Sequence, residues 1–121
     1  MKKYLFAALL IFALCSIAPA AQTDTLLAIQ TATGAGAAVS SNSTHITCVV
    51  TWGGTTPTNT VVAVEGSIDN STWASLEAVT VTSSGTMFHI VDKYVKLIRG
   101  NYVSRSGGDA TTAVTLYCAS M

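Results

Sequence analysis

The chain has 121 residues, of which 50% are hydrophobic and 10% charged, with a formal net charge of zero. That length holds one domain. No basic surplus is available to neutralise a phosphate backbone, so nucleic acid is not an expected partner.

In chain order, the first predicted element is a secretory signal over residues 1–21. Met1-Lys2-Lys3 supplies a positive start, Tyr4 to Ile17 is an almost unbroken apolar run, and Ala18-Pro19-Ala20 supplies small residues for cleavage. The apolar run falls short of the about 20 residues that a spanning helix needs. Leu14 precedes Cys15 where a lipoprotein signal wants a small residue, so lipidation is not expected. Cleavage leaves a chain that begins at Ala21 or Gln22, has no further membrane attachment, and is exported to the periplasm, the medium or a virion. It forms a single domain, 22–121. Lys93, Lys96, Arg99 and Arg105 stand against Asp24, Glu65, Asp69, Glu77, Asp92 and Asp109 in it, a net charge of about −2.

No segment of this domain has helical periodicity. β-rich runs are predicted near Thr25–Thr31, Ala37–Ser41, Thr44–Trp52, Thr58–Ile68, Thr72–Thr82, Thr86–Val91, Tyr94–Ser104 and Thr111–Ala119. Turn residues separate them, among them Thr33 to Gly36, Gly53 to Pro57, Asp69-Asn70-Ser71 and Ser106 to Asp109. About eight short strands at this spacing predict an all-β fold, an antiparallel two-sheet β-sandwich of jelly-roll or Ig-like order. Tyr94–Ser104 has apolar residues in both phases. It is read as a central strand or as one that faces a partner subunit.

Cleavage removes Cys15 and leaves Cys48 and Cys118, an even number in an exported chain, which predicts one disulfide. Period-two counting puts Cys48 with Ile46, Val50 and Trp52, and Cys118 with Val114 and Leu116. Both cysteines therefore point inward with the apolar set. Two separate buried thiols are the other reading, and an intermolecular bridge is left open.

Candidate chemistry is sparse, and no catalytic residues, metal ligands or cofactors are expected. His45 and His89 belong to no HxH or HExxH pattern. No Gly-x-Ser-x-Gly elbow supports a serine nucleophile. Glu65 and Glu77 fall on separate strands, and nothing recommends them as a glycosidase pair. Asp69-Asn70-Ser71 and Gly107-Gly108-Asp109 lack the dense acidic spacing of a calcium loop and read as turns. Trp52 and Trp73 both read as core residues. Their alternative is sugar stacking, in which Trp52 or Trp73 works with Asp69 and Asn70 as a ligand-binding set.

The segment Glu65-Gly66-Ser67-Ile68-Asp69-Asn70-Ser71-Thr72-Trp73, followed by Leu76, resembles an "EGS-x-D-x-S-x-W" motif of small β-sandwich proteins in tailed-phage and prophage genomes. Leu27 to Gly36 is similar to the opening of those proteins. Tyr94 to Tyr102 resembles their strand with an R-x-N ending, here Arg99-Gly100-Asn101, and Gly107-Gly108 precedes a last Thr/Val strand as it does there. The resemblance implies an accessory protein of the head-decoration or tail/fibre kind and implies no catalytic residue. The expected function is a non-enzymatic structural or adhesive module that acts by multivalent weak binding. Its partners would be copies of itself or proteins of a virion or cell surface. A secreted lectin-like domain that binds glycans is the alternative.

Overall fold

The computed structural model describes residues 22–120, which fold into nine strands: β1 (Gln22–Gln30), β2 (Gly34–Ala35), β3 (Val39–Ser40), β4 (Ile46–Gly53), β5 (Pro57–Ser67), β6 (Ala74–Val81), β7 (Thr86–Ile90), β8 (Leu97–Gly107) and β9 (Ala113–Ser120). The expected signal segment, 1–21, lies outside the described residues. A four-stranded sheet has the order β1-β9-β4-β7. A five-stranded sheet has the order β2-β8-β5-β6, with β3 also paired to β8.

Every pairing is antiparallel, and apart from β4 with β9 and β5 with β8 the pairs nest. β1 pairs with β9, β2 and β3 with β8, β4 with β7, and β5 with β6. The chain thus behaves as one long ribbon folded back between β5 and β6 and then rolled into two layers. With β2 and β3 taken as one interrupted strand, this is the eight-strand order of a jelly roll. It resolves the choice that strand spacing left open.

Alternation decides which residues face the core. Ile46, Cys48 and Val50 of β4 are buried, as are Val114, Leu116 and Cys118 of β9. From the other sheet come Val62 and Val64 of β5, and Ile98 and Tyr102 of β8. Leu26 and Leu27 fill the space where β1 meets β8, and burial of each such aliphatic side chain stabilises by roughly 1.5–3 kcal/mol. Gly100 makes that approach possible. A Cβ built on it would stand 2.7 Å from Leu27 Cγ and 3.1 Å from Leu116 Cδ2.

Some local expectations change. Thr33 to Gly36 reads as a break but contains β2, whose Gly34 pairs with Tyr102. Residues 94–96 precede β8 instead of opening it, and Tyr94 is exposed. β8 itself is central, with β5 on one side and β2 and β3 on the other. The mixed phases arise because Tyr94 and Val95 lie before it and a register shift against β5 leaves Val103 exposed. Trp73 is a correction. It is half-buried just before β6 and lies outside the core cluster, because the chain leaving the Asp69 turn carries it beside Arg99. Trp52 is half-buried and packs against the core, as its phase in β4 predicts.

Cys48 and Cys118 are joined by a disulfide. They are register partners on neighbouring strands of one sheet, so the bridge ties β4 to β9 within a layer.

Candidate functional site

The motif residues converge on the five-stranded sheet. Glu65 of β5 and Arg99 of β8 are register partners, and the Arg99 Nε donates to Glu65 Oε2 at 2.7 Å. Asn101 Nδ2 donates to Glu65 Oε1 at 2.8 Å, so both carboxylate oxygens are engaged. These side chains take the phase opposite to Val64, Ile98 and Gly100, which places them on the outer face. The Trp73 ring lies against the guanidinium, with Arg99 Cζ 4.2 Å from the ring centroid. A planar cation over an indole face is attracted by the ring quadrupole. Burial opposes ionisation of Glu65, but the bonds from Asn101 and Arg99, with the guanidinium charge, outweigh it and hold the carboxyl below its ordinary value.

The turn between β5 and β6 explains the rest of the motif. Ser67 is buried, and its hydroxyl donates to Asp69 Oδ1 at 3.0 Å and accepts from the Asn70 N–H at 2.9 Å. Asp69 Oδ1 accepts the N–H groups of Thr72 at 2.7 Å and Ser71 at 2.9 Å. Those bonds, led by the one from Thr72, hold the Asp69 carboxyl well below the usual carboxylate range. Asn70 sits at φ 63°, a left-handed conformation that asparagine tolerates better than most residues. Asp69 and Asn70 therefore do turn work. Beside them a cleft of about 320 Å³ opens, lined by Ile68, Asp69, Thr72, Leu76 and Val95 among others.

The opposite end of the sandwich is clasped in a similar way. Asp109 accepts from the Thr111 hydroxyl at 2.6 Å, the Thr55 hydroxyl at 2.7 Å and the Thr111 N–H at 2.8 Å. The Thr112 hydroxyl donates to the Thr55 carbonyl at 2.7 Å. The β4–β5 and β8–β9 turns are thereby joined. The Thr111 hydroxyl first, then the Thr55 hydroxyl and the Thr111 N–H, bring the Asp109 carboxyl down to about 2.

The proposed ligand-binding set is not brought together. Asp69, Asn70 and Trp73 share one turn region. Trp52 stands just before β5 begins and Trp73 just after it ends, and β5 runs for eleven residues, roughly 35 Å. Glu77 is the register partner of inward-facing Val64, on the other side of the sheet from Glu65. His89 Nδ1 is 2.9 Å from the Thr47 hydroxyl, and His45 Nδ1 is 3.0 Å from that of Thr44. Sequence reading missed the Glu65–Arg99–Asn101–Trp73 cluster. Two segments that resemble the phage proteins contained them, Glu65 and Trp73 in one and Arg99 and Asn101 in the other, and that shared resemblance was the available signal.

No protein-family model matches the chain, and no curated protein matches it in sequence. In fold it is similar to the crystal structure of the SPBc2 prophage-derived protein YomS, with a TM-score of 0.62 and 11% identity over 83% of this chain and 91% of that one. At that identity the likeness is one of fold. The disulfide is consistent with an oxidising compartment, and among the described residues no helix is long and apolar enough to cross a membrane.

Proposed function

We propose that the chain is an exported, non-enzymatic structural or adhesive module of phage-related origin, which acts by multiplying weak contacts on a virion or cell surface. The observation that carries this reading is the employment of its clustered polar groups. Glu65, Asp69 and Asp109 are each held as anions by bonds that fasten strands or turns. What the molecule offers outward is contact surface. A fold shared with a prophage-derived protein and the motif resemblance support the phage setting. Joining many weak sites raises avidity by roughly 10²–10⁴.

The experiment is fractionation of the native host carrying an epitope-tagged copy, before and after prophage induction, with immunogold electron microscopy of each fraction. The expected outcome is label at many copies on particles or on the cell surface. Label confined to freely soluble protein under both conditions sinks the reading.

A further inference from the structure

Charge is divided between the two sheets. β5, β6 and β8 carry Glu65, Glu77, Arg99 and Arg105. The four strands of the other sheet carry no Lys or Arg and one acidic residue, Asp24, which is the register partner of inward-facing Cys118, and His89 stands on the outer face beside Thr47. Outward from that sheet stands a row of register partners, Tyr117 of β9, Val49 of β4 and Met87 of β7. Met87 is 60% exposed and Tyr117 41% exposed. A depression of about 170 Å³ lies beside them, lined by Thr23, Thr47, Val49, Met87, Tyr117 and Ala119 over the disulfide.

The sheet edges are blunted instead. β1 is interrupted by two register shifts, with Ile29 at φ 49°. β2 and β3 are two residues each, β7 is five, and β6 carries a register shift and the edge charge Glu77. Such features resist strand addition. The surface left for association is a face.

We infer that the outer face of the β1-β9-β4-β7 sheet is a two-fold interface with a second copy of this chain. Three observations select that occupant. A face with no outward Asp, Glu, Lys or Arg meets its own image with no carboxylate, ammonium or guanidinium opposed to its like. Met87 projects beside a depression on the same face, so each copy supplies a knob and a hole, as an isologous contact requires. Methionine is flexible enough to seat itself in such a gap. The area admits a weak contact. β1, β9, β4 and β7 are nine, eight, eight and five residues long, and at about 3.3 Å per residue and about 4.8 Å between strands they cover roughly 480 Å² per copy. Two copies bury about 950 Å², at the limit below which an interface is weak or transient. Dimerisation through so small a face is weak and suited to the multiplied contacts proposed above. The face and its geometry are independent of that reading.

The test is sedimentation equilibrium of the exported protein, made from the full coding sequence, from about 1 to 300 μM, where an interface of minimal area associates. A monomer–dimer equilibrium is expected. Met87→Lys and Tyr117→Lys, each placing two like charges across the axis, raise the Kd by about 100-fold or more. Val103→Lys, at an exposed apolar position of the other sheet, leaves it unchanged. Each variant is first checked by thermal melting. An independent readout is peroxide oxidation of Met87 in the unmodified protein, which slows as concentration rises through the Kd. A monomer at every concentration overturns the inference, as does association indifferent to both face variants, whether or not the chain is found on particles. Oxidation independent of concentration in a protein that does dimerise overturns it equally.

Discussion

Cys48 and Cys118 face each other as register partners on adjacent strands, with their Cα atoms 4.1 Å apart and a sequence separation of 70. β9 is already held between β1 and β4, so the bridge reinforces an interior strand and closes the long loop that contains β5 to β8. Constraint of the unfolded chain by such a loop contributes about 4 kcal/mol on the chain-entropy model. Cys48→Ser and Cys118→Ser should each cost about 2–5 kcal/mol in denaturant unfolding, and the double variant should be little worse than either. Clearly additive losses would show that each sulfur acts through its own packing.

The Arg99–Trp73 contact should be sensitive to the planarity of the cation. Lysine keeps the charge but loses the flat guanidinium and its Nε donor to Glu65. Arg99→Lys should destabilise by about 1 kcal/mol, and Arg99→Ala by about 1–2 kcal/mol, since Glu65 then keeps only Asn101. Trp73 emission should change in both variants while Trp52 emission stays as it is. Single-tryptophan backgrounds separate the two signals, and an unaltered Trp73 signal in Arg99→Ala would dissolve the contact.

Gly100 should not tolerate a methyl group. Leu27 and Leu116 occupy the space over it, and overpacking a closed core costs about 1–3 kcal/mol. Gly100→Ala should lower the Tm accordingly, and Leu27→Ala should be partly rescued by it. A double-variant cycle measures the coupling. Independent effects would mean that the two sheets adjust freely at this point.

Asp109 should report on pH. Its pKa in the fold, about 2, lies below the ordinary 3.8, so its contribution is fully present above about 4 and is lost as pH falls through 2. Thr111→Val removes the hydroxyl that contributes most and should move the Asp109 carboxyl resonance back towards the ordinary titration range. Thr55→Val should do the same to a smaller extent. An Asp109 titration that ignores both substitutions would show that the clasp does not form in solution.

The order of inward and outward residues was determined by the sequence alone. Ile46, Cys48 and Val50, like Val114, Leu116 and Cys118, sit on the inner face because a strand alternates and burial of apolar surface selects the phase. One bridge between Cys48 and Cys118 was the expectation from that phase, and the register of β4 against β9 decided it. Only the tertiary structure decided which strands are neighbours, since alternation is local and says nothing of what lies alongside. Jelly-roll order, the union of Glu65, Arg99, Asn101 and Trp73, and the confinement of outward charge to one sheet all depend on contacts between segments far apart in sequence. Those contacts are chosen collectively when the two layers close on one core, and no short stretch of the chain encodes them.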